Sequence, residues 1–315
     1  MDFLTAEVVE ELVTFPELID TLHQAFLTAH VTPLRQHLDY RNPKEEVDST
    51  LLLMPAWREG AFLGVKMVTV SPHNYKYDLP SIQGIYTLFD AHKGKPLLQM
   101  DAPILTNLRT AAASALASRF LSRKDSSTLL MVGTGALAPY LVRAHMAVRP
   151  VRRVLVWGRN FRKAQRLAQK LDYLNAEVAP VEQLSANIRQ ADIISCATLS
   201  QEPLLAGEVL VPGQHLDLVG SFKPNMREAD DAAVRRASIF VDTIEGATKE
   251  SGDLRQPLEE GVITPKGIKG TFQTMCRSGK GRTNQREITL FKSVGHASED
   301  LAAAELIYKN WIAAG

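Results

Sequence analysis

The first third of the chain shows two different hydrophobic periods. Up to about residue 30, apolar residues such as Leu22 and Phe26 recur at helical spacing and predict amphipathic helices. Three short runs follow that are rich in β-branched and aromatic residues and are separated by turn residues, at 49–57, 61–70 and 85–91. They predict a mostly antiparallel sheet in a first domain.

A long alanine-rich helix is predicted next, within residues 102–121. Thr106 or Asn107 is the expected N-cap, which places Arg109 in the first turn. From residue 128, short apolar runs alternate with helical patterns, and a closing helix is expected from about residue 296. The alternation predicts a doubly wound parallel sheet and an α/β fold class, whereas the stretch 266–286 shows no clear periodicity.

Composition narrows the class of protein. The chain has 315 residues, of which 45% are hydrophobic, and this length favours two domains. Lys and Arg total 36 against 35 Asp and Glu, so we expect neither nucleic acid nor a membrane surface as a partner. No run of about 18 apolar residues is present and the start is broken by charges, which favours a cytoplasmic protein. Cys196 and Cys276 suit neither a disulfide framework nor a metal site, and we expect Cys196 to be buried.

A glycine motif of the form G-x-G-x-x-A lies between an apolar strand and a helix, which is the context that dinucleotide binding requires. Gly133 permits a tight turn, Gly135 lets the backbone approach a pyrophosphate, and the small Ala138 lets the helix pack on the strand. The alternative is a glycine-rich turn in another kind of α/β protein. The residues expected at the cofactor are Gly133, Thr134, Gly135, Ala136 and Leu137.

The next strand, RVLVWG, ends in Gly158, Arg159 and Asn160, where NAD sites usually place a carboxylate. A cationic rim without a carboxylate favours the 2′-phosphate of NADPH, so we expect NADPH to be preferred and NADH to be possible. The alternative is that Arg159 merely points to solvent.

Two cations in the first domain raise a charge question. Arg109, if it lies in the first helical turn, is unfavourable beside the helix dipole and needs an anion, either Asp101 or a ligand. Strand alternation puts Lys66 on an apolar face with Gly64 and Val68, so its ammonium either reaches solvent at an edge or binds an anion in a cleft. Arg35, in a loop, would ordinarily be solvated.

Nine stretches resemble the ornithine cyclodeaminase and mu-crystallin family in order and spacing. This resemblance implies a Rossmann dinucleotide-binding domain at 123–292 and a substrate-binding and dimerisation domain at 1–122 with 293–315, in a homodimer. The stretches are PLR (33–35), LMPAW (53–57), GVKMVT (64–69), RTAAASALA (109–117), VGTGALA (132–138), ATLSQEP (197–203), PGQHLDLVGS (212–221), KESGD (249–253) and FKSVG (291–295).

The same resemblance implies roles for single residues. Arg35, Lys66 and Arg109 would bind a substrate carboxylate, with Lys66 also catalytic, Met54 lining the pocket and Glu250 near its far side. Ordinary strand-end or helix-cap roles remain the alternative for the residues implied at the cofactor. Those residues are Ser81, Arg109, Thr110, Thr198, Leu199, Val219 and Ser293.

One position departs from the cyclodeaminases of that family. They resemble VGGDCP where this chain has VGSFKP, and Phe222 cannot transfer a proton as their aspartate does. GSFKPNMREAD is most similar to the family's bacterial cyclic-ketimine reductases, which implies NAD(P)H-dependent reduction of Δ1-pyrroline-2-carboxylate or Δ1-piperideine-2-carboxylate to L-proline or L-pipecolate. The alternatives are an ornithine cyclodeaminase, an amino-acid dehydrogenase of the alanine dehydrogenase type, or a non-enzymatic NADPH-binding protein like mu-crystallin.

Overall fold

Two structural units make up the chain in the computed structural model, which describes residues 2–45 and 47–315. The first unit combines residues 1–110 with 296–315, and the second consists of residues 111–295. The division falls within the helix Ala102–Leu121. Residues 111–121, about three turns of that helix, belong to the second unit, whereas the sequence-based boundary placed them in the first domain, 1–122.

The strands number fourteen in the described residues. They are β1 (Asp2–Leu4), β2 (Gln36–Tyr40), β3 (Ser49–Trp57), β4 (Phe62–Val70), β5 (Ile82–Asp90), β6 (Pro96–Asp101), β7 (Thr128–Val132), β8 (Arg153–Trp157), β9 (Glu177–Val181), β10 (Ile193–Cys196), β11 (His215–Leu218), β12 (Ser238–Val241), β13 (Ile268–Thr271) and β14 (Thr289–Lys292).

The α-helices in the same residues number eleven, and none is long and apolar enough to cross a membrane. They are α1 (Ala6–Glu11), α2 (Phe15–Leu27), α3 (Ala102–Leu121), α4 (Ala138–Val148), α5 (Phe161–Lys170), α6 (Leu184–Ile188), α7 (Asp231–Arg236), α8 (Ile244–Glu250), α9 (Gly252–Glu259), α10 (Phe272–Ser278) and α11 (Ala297–Ala314).

The first unit is built on a six-stranded sheet in the order β1-β6-β5-β4-β3-β2. All neighbours are antiparallel except β1 and β6, so the predicted, mostly antiparallel sheet is confirmed. Helix α11 packs on β3, β4 and β5 and also contacts α2. Strand β2 was not predicted, because all five of its residues are exposed and an exposed edge strand needs no apolar face.

The start of α3 differs from the prediction. The helix begins at Ala102, and the Asp101 carboxylate accepts a hydrogen bond from the Ile104 backbone N–H at 2.8 Å, so Asp101 is the cap rather than Thr106 or Asn107. Pro103 is tolerated because the first turn has no use for its missing N–H. Arg109 therefore lies about two turns into the helix, and the helix-dipole argument for an anion beside it was wrong.

The second unit contains an eight-stranded sheet in the order β13-β12-β14-β11-β10-β7-β8-β9, with every neighbouring pair parallel. The predicted doubly wound sheet is confirmed. The strand order reverses between β7 and β10, and in such sheets ligands bind beyond the carboxyl ends of the strands at that point. The aperiodic stretch 266–286 contains β13 and α10, which are too short to show a period.

Candidate active-site residues

Lys66 is buried in the first unit and paired with a carboxylate of the chain itself. It is 3% exposed, and its Nζ lies 2.8 Å from Asp300 Oδ2 and 3.4 Å from Thr106 Oγ1. Burial lowers the pKa of Lys66 to about 8, while Asp300 opposes that shift. The predicted alternation along β4 is confirmed, because Gly64, Lys66 and Val68 are the buried positions, but the ammonium does not reach solvent at an edge.

Arg109 is 5% exposed and binds two adjacent carboxylates at the start of α11. Its Nε donates to Asp300 Oδ1 at 2.9 Å, and its Nη1 donates to Glu299 Oε2 at 2.8 Å. Burial disfavours the charge on Arg109, but Asp300 and Glu299 outweigh it and raise the pKa of the guanidinium. Burial likewise opposes ionisation of Asp300, and Arg109 and Lys66 outweigh it and lower the pKa of that carboxyl. The partner of Arg109 is therefore not Asp101, the residue considered from sequence.

Strand register gathers further residues around Lys66. Met54 on β3 and Tyr86 on β5 are its direct cross-strand neighbours, and both are buried. A Cβ on Gly64 would lie 1.9 Å from the Tyr86 hydroxyl oxygen, so the glycine makes room for that ring. Arg35 is half-buried, and its charge contributes to the lowered pKa of Lys66.

Of the remaining first-unit candidates, Ser81 is exposed just before β5, where its carbonyl accepts a hydrogen bond from the Ser71 backbone N–H at 2.8 Å. Thr110 is buried on α3 beside Arg109. The first unit thus brings Met54, Lys66 and Arg109 together with two carboxylates that sequence reasoning missed. Glu299 and Asp300 were missed because two acids in the first turn of a helix are ordinary on dipole grounds.

The glycine turn of the second unit follows β7. Gly133 has φ +124°, and a Cβ there would lie 2.5 Å from the Ala197 carbonyl oxygen, so a side chain is excluded on both counts. Around Gly135 an added Cβ would meet no atom within 4 Å, which leaves open space in front of α4. Ala138, the first residue of α4, is fully buried. These residues fit a dinucleotide, because the turn exposes backbone N–H groups at a helix start with room beside them.

The end of β8 lies against this turn. The Gly133 backbone N–H donates to the Trp157 carbonyl at 2.9 Å, and a Cβ on Gly158 would lie 2.8 Å from Thr134 Cγ2. Arg159 is exposed. Asn160 caps α5 by accepting a hydrogen bond from the Lys163 backbone N–H at 3.3 Å, so it already has a structural role.

The candidates beyond the ends of β10, β11 and β14 differ in their surroundings. Leu199 is 73% exposed, whereas Val219 is buried. The Thr198 N–H and hydroxyl both donate to Glu228 Oε1 at 2.8 Å. Ser293 is buried and its hydroxyl donates to Asp242 Oδ2 at 3.2 Å.

A buried polar cluster next to Thr198 was not predicted. Asp253 Oδ1 accepts a hydrogen bond from the Glu228 backbone N–H at 2.7 Å, and Asp253 Oδ2 lies 3.2 Å from Lys292 Nζ. Asp253 and Lys292 stand in KESGD and FKSVG, but a charged residue at a strand or helix end gives no signal of burial by itself. Glu250, in contrast, is half-buried at the end of α8.

Phe222 follows β11 in the loop that carries the departure from the cyclodeaminase pattern. Its side chain is 43% exposed, and Lys223 Nζ lies 5.9 Å from the ring centre. Within residues 2–45 and 47–315, no three His, Cys, Asp or Glu side chains are grouped so that they could hold a metal ion.

A family profile decides the relationship that the short stretches suggested. The profile described as the Ornithine cyclodeaminase/mu-crystallin family matches residues 1–315. The chain belongs to this family. The resemblance inferred from sequence is confirmed, and the ornithine cyclodeaminase/mu-crystallin assignment covers both structural units.

Named members of the ornithine cyclodeaminase/mu-crystallin family and their structural neighbours match most of the chain. The Δ1-pyrroline-2-carboxylate reductase of Paracoccus denitrificans is 42% identical over 260 residues, 82% of this chain and 82% of that protein. The Thermococcus litoralis Δ1-pyrroline-2-carboxylate reductase, solved with NADH and L-proline, is 34% identical with a TM-score of 0.93, covering 100% and 98% of the two chains. An archaeal alanine dehydrogenase dimer with bound NAD is 27% identical with a TM-score of 0.89, covering 99% and 96%.

Removing Arg109 should destabilise this family member. Arg109→Ala leaves Glu299 and Asp300 buried with less compensating charge, and we expect a loss of roughly 3–5 kcal/mol in the free energy of unfolding. Urea unfolding followed by circular dichroism measures it. Arg58→Ala is the control, because the Arg58 side chain is 37% exposed in its pair with Glu305 and should contribute about 1 kcal/mol or less. Equal losses in the two variants would contradict the structural role of Arg109.

Proposed function

We propose that this protein reduces Δ1-pyrroline-2-carboxylate to L-proline, with Δ1-piperideine-2-carboxylate as a second possible substrate. The protein is an NAD(P)H-dependent oxidoreductase that acts on a C=N bond, as its named relatives do. The observation that carries the choice of reduction over deamination is Phe222, which offers no acid or base where the cyclodeaminases have aspartate. The ligands of the Thermococcus litoralis enzyme, NADH and L-proline, support the same reaction here.

The residues of the first unit suit a small carboxylate. Lys66 and Arg109 place N–H donors of two cations side by side on Asp300, and the positive charge of Arg35 reaches Lys66, so this group can bind a small anion. Lys66 holds a proton on Nζ at neutral pH and has ammonium N–H groups for a substrate carboxylate as well as for Asp300. With a pKa of about 8, it can also share that proton with an imine nitrogen.

The second unit supplies the cofactor residues. The reduced nicotinamide, when bound, supplies the hydride that a protonated imine accepts without further acid catalysis. Gly133 forms the tight turn, Gly135 leaves open space for the pyrophosphate beside the start of α4, and Thr198, Val219 and Ser293 lie at the carboxyl ends of β10, β11 and β14. Holding the imine carbon at a fixed position is then the main contribution of the chain to the rate.

We further infer that NADPH is preferred to NADH. Residues 157–163 read WGRNFRK and contain no carboxylate that would bind ribose hydroxyls, while Arg159 is exposed beside the glycine turn. An exposed guanidinium there can bind a 2′-phosphate through two N–H groups.

We also infer that two copies form a homodimer in the cytoplasm. All five residues of β2 are exposed at an edge of the first sheet, and Leu34, Leu38 and Tyr40 present apolar side chains there. The dimer of the related alanine dehydrogenase supports a pair of copies. A reducing compartment suits Cys196 and Cys276, both of which are free thiols.

Turnover of the cyclic ketimine is the first expected outcome. Purified protein should oxidise NADPH with Δ1-pyrroline-2-carboxylate, followed by NADPH absorbance, and should release no ammonia from ornithine with NAD because Phe222 cannot assist deamination. Lys66→Met should lower kcat/KM by about 100-fold or more, whereas the exposed Lys124→Met should not. Proline and ammonia from ornithine would identify a cyclodeaminase. Turnover of pyruvate with ammonia alone would identify an alanine dehydrogenase, and cofactor binding without any turnover would favour a binding protein.

Arg159→Asp should reverse the cofactor preference. The new carboxylate repels a 2′-phosphate and accepts hydrogen bonds from ribose hydroxyls, so we expect kcat/KM to fall about 10-fold or more for NADPH and to hold or rise for NADH. Steady-state kinetics with both cofactors measures this. Arg152→Asp, exposed just before β8 at the other end of the strand, should change neither value. A wild-type preference for NADH would contradict the assignment of Arg159.

Charges on β2 should separate the dimer. The double substitution Leu38→Glu and Tyr40→Glu places like charges on the edge strand of each copy, and we expect sedimentation velocity to show a monomer in place of the wild-type dimer. Tyr173→Glu, a comparably exposed position on the second unit, should leave the dimer intact. A dimer that survives the β2 substitutions would place the interface elsewhere.

A further inference from the structure

Glu228 joins two loops beyond the second sheet through a single carboxylate. Its Oε1 accepts hydrogen bonds from the Thr198 backbone N–H and hydroxyl, each at 2.8 Å, and its Oε2 accepts from the Gly220 backbone N–H at 2.8 Å. Thr198 follows β10 and Gly220 follows β11, which are adjacent parallel strands. The carboxylate therefore lies at the edge where sheets of this kind bind ligands.

The backbone around Glu228 leaves no room for adjustment. A Cβ on Gly220 would lie 2.1 Å from the Thr198 carbonyl oxygen and 2.5 Å from Glu228 Oε1. The preceding residue, Ala197, in turn lies against Gly133 of the glycine turn. The Glu228 carboxylate therefore binds Thr198 and Gly220 in a closely packed region that adjoins the glycine turn.

A second buried carboxylate, that of Asp253, binds the backbone at Glu228. Asp253 Oδ1 accepts from the Glu228 and Ala229 backbone N–H groups at 2.7 and 3.2 Å, and Asp253 Oδ2 lies 3.2 Å from Lys292 Nζ. Glu228, Asp253 and Lys292 are all fully buried. A buried carboxylate is costly unless its oxygens are satisfied, and here the satisfying donors come from the two loops.

We propose that Glu228 is a positioning residue that holds Thr198 and Gly220 in the arrangement that binds the nicotinamide cofactor. The inference rests on the proposed function, since it assumes that a dinucleotide binds at this edge. The ionised form is required, because a protonated carboxyl turns one oxygen into a donor that faces N–H or O–H donors. Cofactor affinity should therefore fall when Glu228 is protonated.

The protonation of Glu228 falls in an accessible pH range. Burial and the neighbouring Asp253 raise the pKa of Glu228 to about 7, against the opposing effects of Lys292 and the Thr198 hydrogen bonds. Glu228 also acts on the Cys196 thiol on β10, which burial keeps protonated by raising its pKa well above the ordinary value. Because cofactor binding favours the ionised carboxylate, the dissociation constant should rise as pH falls through about 7.

The test is direct titration of NADH fluorescence, which needs no turnover. We expect Glu228→Gln to weaken NADH binding about 10-fold at about pH 8.5, because the amide NH₂ replaces an acceptor of the loop N–H groups. Wild-type affinity should fall several-fold from about pH 8.5 to about pH 6, and the variant should lose this dependence. The exposed Glu260→Gln is the matched control and should behave as wild type. At saturating cofactor, kcat should change less than the dissociation constant does.

The outcomes separate the two proposals. Wild-type protein that binds neither NADH nor NADPH would overturn the proposed function itself. Wild-type protein that binds NADH, together with a Glu228→Gln variant of the same affinity and pH dependence, would overturn only the positioning role. If the variant does not fold by near-ultraviolet circular dichroism, the wild-type titration decides, and a dissociation constant that is constant over this pH range overturns the inference.

Discussion

The burial of two cations in the first unit depends on two adjacent carboxylates. An isolated ammonium or guanidinium inside a protein costs several kcal/mol, so Lys66 and Arg109 can be 3% and 5% exposed only because Asp300 bridges them and Glu299 binds the guanidinium. The first turn of α11 suits these acids, since the positive end of the helix dipole stabilises them. Helix α11 packs on β3, β4 and β5, which places the two acids beside Lys66 and Arg109.

In the second unit, the buried charges that need compensation are two carboxylates, Glu228 and Asp253. Their hydrogen bonds come mainly from backbone N–H groups, with Lys292 nearby, and not from a guanidinium such as that of Arg109 in the first unit. The fold fixes the positions of these backbone donors, so the two carboxylates hold the loops that carry them in place. In the first unit the buried cations and carboxylates form ion pairs with one another, whereas in the second unit Glu228 and Asp253 accept hydrogen bonds from the backbone.

Local patterns predicted most of the fold and only part of the site. The alternation along β4 and the strand-turn-helix around Gly133 are local features, and both agree with the structure. The start of α3 was misplaced because Asp101 ends a strand and caps a helix at once, and strand β2 has no apolar face to reveal it. The carboxylates that neutralise Arg109 lie 190 and 191 positions away, and no periodicity carries information over such a distance.

The position of α11 in the chain also has a consequence for the order of folding. Glu299 and Asp300 follow the whole second unit in sequence, although they belong with the sheet of residues 2–101. During synthesis the antiparallel sheet therefore emerges with Lys66 still uncompensated, and it must wait for the parallel sheet to be translated. The nascent first unit is then incomplete for longer than a unit made from one continuous segment would be, and the last helix completes it by supplying its missing charge.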